Sequence, residues 1–216
     1  MTEPAKSVGL PQLGQALPNW DPLVRLAHWG IAGVVFANYA LTKEGGSVHI
    51  ALGWVGLGLL ILRLIWGYIG PHEARFASFA PNPRAALRHM RGLLRGPIHG
   101  RALHYPSHNP AGAMMAYALW ACLGVLTLTG RGMSGIGPFK QAELEAAVAA
   151  ADWSAVVEEQ GADESPFCAV LVEVHEIAAN LILILAFLHV AGVFVEGRAL
   201  RRNLVAPMLM SRKNRE

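Results

Sequence analysis

The sequence predicts an all-α integral membrane protein, a four-transmembrane-helix bundle with both termini cytoplasmic. Three observations carry this. Hydrophobic residues make up 53% of the chain and charged residues 15%, well below the charged share of about 25% in a soluble domain. The apolar residues cluster in four blocks, 22–41, 48–69, 111–130 and 167–195, rather than alternating with polar ones, as expected of bilayer-spanning helices. The segments between the blocks alternate in sign of charge. Residues 71–107 carry Arg75, Arg84, Arg88, Arg91, Arg95 and Arg101 against Glu73 alone, and the tail from Gly197 is basic again. Residues 131–166 are acidic, with Glu143, Glu145, Asp152, Glu158, Glu159, Asp163 and Glu164 against Arg131 and Lys140. By the positive-inside rule the basic segments are cytoplasmic and the acidic one outside. Both ends then lie inside, which requires an even number of crossings.

Each element has its own justification. Residues 1–19 are polar, contain three prolines and lack an apolar core, so they read as a flexible cytoplasmic leader rather than a signal peptide. Asp21 is a suitable N-cap for the first span, and Pro22 at the first helical position needs no N–H. Trp20 and Trp29 suit an interfacial belt. Gly45-Gly46 turns the chain into the second span, which Gly70-Pro71 ends. Pro83 to Gly96 reads as a short amphipathic helix on the membrane surface. Asn109-Pro110 opens a third span without histidine or charge, a packing scaffold. Gln141 to Gln160 reads as amphipathic helix. The fourth span closes a membrane domain of residues 20–197, followed by a basic cytoplasmic tail, 198–216.

Four histidines fall inside spans, where an unpaired polar group is costly and marks a functional site. His175 and His189 share the fourth span and one helix face, 14 positions or about 21 Å apart along the axis. The topology puts His49 near the depth of His175, toward the outside, and His28 near the depth of His189, toward the inside. Two pairs on facing helices suit axial ligation of haem iron, whereas zinc wants a third or fourth ligand. Neither Cys122 nor Cys168 lies in a CxxC or CxxCH pattern, which excludes covalent c-type haem, thiolate zinc and iron–sulfur sites. His49, Gly53, Gly56, Leu60, Arg63 and Gly67 form one face of the second span. Gly53 and Gly56 would give a flat macrocycle a bare groove, or else allow close helix packing. Arg63, and Arg25 one turn before His28, are candidates to pair with haem propionates, or else snorkel to the interface.

These motifs resemble those of the prokaryotic cytochrome b561 superfamily, which includes the cytochrome b subunits of nickel–iron hydrogenases and formate dehydrogenases. Trp20-Asp21-Pro22 with Arg25-x-x-His28-Trp29 resembles its first-span motif, and His49-x-x-x-Gly53 with Arg63-x-x-Trp66-Gly67 its second. His108-Asn109-Pro110-x-Gly112 resembles the start of its third span, with Ser107 in place of the usual glycine. His175 and His189 match the fourth-span pair. The likeness covers residues 20 to about 215, but Arg201-Arg202 stand where an acid is common and Ser211 replaces a glycine. The resemblance implies two non-covalent b haems, one on His28 and His189 and one on His49 and His175. It also implies an exchangeable quinone at the cytoplasmic face, with His108, Asn109 and Arg63 as candidates there. His72, His89, His99 and His104 are expected to meet solvent or headgroups.

The function expected is transmembrane electron transfer in the bacterial inner membrane, between quinone and a redox partner on the periplasmic side. That partner would be a cytochrome c or a dehydrogenase or hydrogenase subunit, steered by the acidic loop. A stand-alone quinone oxidoreductase is the alternative within this class. A histidine-lined metal or ion transporter is the alternative outside it, and the apolar third span opposes that. Membrane lipid is the surrounding partner and a homodimer is open; nothing points to nucleic acid.

Overall fold

A computed structural model describes residues 20–94, 108–134, 145–151, 166–201 and 203–209, and in these it is helical with no strand. The leader, the acids Glu143, Asp152, Glu158, Glu159, Asp163 and Glu164, His99, His104, and the far ends of the basic loop and tail lie outside the described residues. Among the described residues, three helices are long and apolar enough to cross a membrane: Ser47–Ile69, Pro110–Met133 and Pro166–Leu200.

Helix α1 spans Pro22–Ala40. Asp21 caps it as expected, its Oδ1 accepting from the backbone N–H groups of Leu23 at 2.9 Å and Val24 at 3.1 Å. The same oxygen accepts from Trp66 Nε1 at 3.0 Å, which ties the start of α1 to the end of the next helix. α1 is not among the three helices above, and it carries Arg25, His28 and Asn38. Its 19 residues still span about 28 Å at 1.5 Å per residue.

Helix α2, Ser47–Ile69, ends at Gly70 as expected. Its buried residues, Gly56, Leu60, Arg63 and Gly67, follow the single face read from the sequence. Gly67 is required by its surroundings, because a side chain there would run into the Phe76 ring. Two 3-10 turns, His72–Ala74 and Phe76–Phe79, lead to the amphipathic α3, Pro83–Leu94. α3 packs on α4, Pro110–Ser134, with Ala86 buried while Leu87 and Met90 stay exposed. A short helical stretch, 145–149, lies in the acidic loop.

Helix α5 runs 35 residues, Pro166–Leu200, longer at both ends than its apolar block. At 1.5 Å per residue it is about 52 Å long, well beyond a hydrocarbon core of roughly 30 Å. It ends where Arg201 takes the left-handed conformation, φ +50°. A last turn, α6 at Ala206–Leu209, is capped by Asn203. It folds back so that Trp29 Nε1 donates to the Met208 carbonyl at 3.1 Å.

α4 packs along α5, α1 along α2, and α2 along α4. Asp21 meets Trp66, Cys122 meets Ala178 and Asn109 meets Glu196, so α1 and α2, and α4 and α5, run antiparallel. The start of α1, the end of α2, the start of α4 and the end of α5 share one end of the bundle. The core between these helices is Leu60, Cys122, Leu123, Ala178 and Ile182. On α5, Ala178 and Ile182 lie between His175 and His189 on the same stripe, so this core separates the two histidine levels. Cys122 is buried there, its thiol directed at the Ala178 carbonyl 3.3 Å away.

Candidate functional site

Helix periodicity brings the four membrane histidines together in two pairs. The ring centroids of His28 on α1 and His189 on α5 are 6.1 Å apart. Those of His49 on α2 and His175 on α5 are 6.3 Å apart. Each pair spans from the α1–α2 layer to α5. With metal–nitrogen bonds of about 2 Å and each ring nitrogen roughly 1 Å from its centroid, a metal held between two imidazoles separates their centroids by about 6 Å. At these separations His28 with His189, and His49 with His175, could each hold an iron between them.

The level holding His49 and His175 has its ring orientations fixed. Thr129 Oγ1 lies 2.9 Å from His175 Nδ1, and Thr42 Oγ1 lies 3.3 Å from His49 Nδ1. Both hydroxyls also donate to helix carbonyls, Thr129 to Val125 at 2.7 Å and Thr42 to Asn38 at 2.8 Å. Asn38 Nδ2 donates to the His49 carbonyl at 3.3 Å. Gly130 passes beside the His175 ring, where a side chain would press on it. Of the two glycines read as a groove, Gly53 faces open space, whereas Gly56 is bare against Val34 of α1. The close-packing reading thus applies to Gly56. At the rim, the Ser47 backbone N–H donates to Glu145 Oε1 at 2.7 Å, and hydrogen bonding from the Ser47 side chain, then from this N–H, holds the Glu145 carboxyl below its usual range. Arg131 lies over the Trp54 ring, 5.7 Å from its centroid.

The level holding His28 and His189 is surrounded by aromatic residues. Arg63 is only 3% exposed. Its Nη2 donates to the Ala74 carbonyl at 3.3 Å, and its guanidinium lies 4.8 Å from the Trp120 ring centroid, with Phe76 and Phe79 at 5.7 and 5.9 Å. Its Nη1 has no hydrogen-bond partner among the described residues. A buried orphan donor on a cation suits an incoming carboxylate. Arg25, half-buried one turn before His28, takes no such enclosed position.

His108 packs against Phe79 at 4.6 Å and Trp20 at 4.9 Å. Burial, then the charge of Arg63, depress its pKa to about 3, and His189 and His28 are close enough to add to the effect. It is therefore a neutral imidazole near the His28–His189 pair. Asn109 caps α4 by accepting from the Gly112 N–H at 2.8 Å, and its amide donates to Glu196 of α5. Glu196 also faces His89 of α3 at 3.5 Å.

Several of these contacts are not apparent in the sequence. His89 meets Glu196 rather than only solvent or headgroups. The third span contributes Thr129 to the His175 level and Asn109 to the other, so it is more than scaffold. Thr42, Thr129 and Glu196 gave one signal: polar side chains in or beside apolar blocks, one to two turns from a candidate ligand or its depth.

Among known proteins, a family model described as prokaryotic cytochrome b561 matches residues 19–211. No curated protein and no solved structure matches significantly.

Proposed function

Because the chain belongs to the prokaryotic cytochrome b561 family, membrane-integral carriers of electrons on b-type haem, we propose that it holds two non-covalent b haems. We propose further that it passes electrons across the bacterial inner membrane between quinone and a redox partner on the periplasmic face. The observation that carries this reading is the pairing of rings at 6.1 and 6.3 Å on two levels of one bundle. His28 and His189 would hold the inner haem, and His49 and His175 the outer.

Bound haem supplies the one-electron iron chemistry; the chain supplies the rest. α5 gives one imidazole to each level, and α1 and α2 give one each. Leu60, Leu123, Ala178 and Ile182 fill the space between with apolar side chains. Arg63 offers its unpaired Nη1 to a carboxylate at the inner level, such as a propionate. His108, neutral and held by aromatic packing, and Asn109, fixed by Glu196, stand where a quinone headgroup would meet donor and acceptor groups. The basic residues Arg84, Arg88, Arg91 and Arg198 support assigning that end to the cytoplasm. At the other end Glu44 and Glu145 are exposed, a rim suited to a basic partner protein.

Reduced-minus-oxidised spectra with haem extraction on the purified protein test this. Two non-covalent b haems per chain are expected; one or none overturns the reading. His28→Ala and His189→Ala should deplete one spectral component, and His49→Ala and His175→Ala the other. Depletion of the same component by His28→Ala and His175→Ala would refute the pairing.

A further inference from the structure

The two histidine levels differ in the hydrogen bonding of their rings. A threonine hydroxyl stands at Nδ1 of both His49 and His175. Among the described residues neither His28 nor His189 has a ring-nitrogen hydrogen bond. A hydroxyl carries one proton and two lone pairs. Thr129 has the Val125 and Leu126 carbonyls at 2.7 and 3.2 Å and Thr42 has the Asn38 carbonyl at 2.8 Å, acceptors that suit each hydroxyl proton. The lone pair facing the ring then accepts from Nδ1–H. This tautomer leaves Nε2 bare for a metal, and the reverse arrangement would put a proton on it. A hydrogen bond accepted from Nδ1–H increases ligand basicity, and a more basic ligand favours the oxidised iron.

We propose that Thr42 and Thr129 are positioning residues for the outer ligand pair, and that they lower the redox potential of the outer site relative to the inner one. The inference rests on His49 and His175 being haem ligands.

The test is a spectroscopic redox titration of the haem-loaded protein and of its Thr129→Val, Thr42→Val, Thr129→Ser and Thr42→Ser variants. The valine changes keep the shape and remove the hydroxyl. Each is expected to raise the midpoint potential of the outer component alone. An effect of about tenfold in the equilibrium corresponds to about 59 mV for one electron. The serine changes restore the hydroxyl and should restore the potential. The outer component is identified independently as the one lost in His175→Ala. Unchanged potentials, equal shifts of both components, or failure of serine to rescue overturns the proposal while leaving the ligand assignment intact. A wild-type protein with fewer than two haems overturns the ligand assignment itself, and this inference with it.

Discussion

His108 shows how position decides what a side chain can do. An exposed imidazole titrates near 6.5. Packed between Trp20 and Phe79, and within reach of the Arg63 charge, this one stays neutral to about 3. Its folded pKa lies below its unfolded one, so between those values the unfolded chain binds the extra proton. Stability should therefore fall as pH drops through 6.5 toward 3, by up to about 1.4 kcal/mol per pH unit from this residue. Thermal unfolding in detergent from pH 7 to 4 should show a shallower acid loss in His108→Gln than in the wild type. Equal slopes would mean that His108 titrates normally. The motif around His108 was readable from the sequence; its neutrality was not, because the 3-10 turn carrying Phe79 is distant in the chain. Thr129 was harder still to identify. A threonine in an apolar helix bonds its own i−4 carbonyl, and only the neighbouring helix shows that its lone pair also meets a histidine.

The helices were legible where local chemistry sets their ends. Asp21-Pro22 and Gly70-Pro71 mark boundaries because a cap and a missing N–H act within one turn. Asp21 also carries a contact that no local rule gives, the bond from Trp66 45 residues away. Asp21→Ala removes both and should cost about 1–2 kcal/mol. Asp21→Asn keeps the acceptor oxygen and should lie close to wild type. Melting of the purified protein separates the two cases, and identical melting of Ala and Asn variants would deny Oδ1 this role. The extent of α5 was not legible. Hydropathy reports which residues face lipid, whereas helix continuity depends on backbone hydrogen bonds that continue into water. Glu196 and Arg198 therefore belong to the same helix as His189. α4 likewise runs on through Arg131 to Ser134.

Across the whole molecule, histidine depth anticipated that His28 would lie near His189 and His49 near His175, because depth follows from threading one chain back and forth through a slab. The sequence could not anticipate that α2, α4 and α5 meet in an apolar core between the two histidine levels, since Leu60, Cys122 and Ile182 look like any other apolar residues. That core, together with the rise of α5, has an electrical consequence. His175 and His189 are about 21 Å apart along a hydrocarbon layer of roughly 30 Å, so an electron passing between the two proposed sites crosses about two thirds of the membrane field. Moving a full charge through the whole field is worth about 2.3 kcal/mol per 100 mV, so this step carries about 1.6 kcal/mol per 100 mV. In proteoliposomes under an imposed potassium diffusion potential, the two haems should exchange electron occupancy with the sign of the potential. Occupancy indifferent to voltage would mean that both sites lie at one depth. On this proposal the 14-residue spacing of His175 and His189 along α5, more than the helix's whole length, would set how strongly a membrane potential opposes or assists each electron.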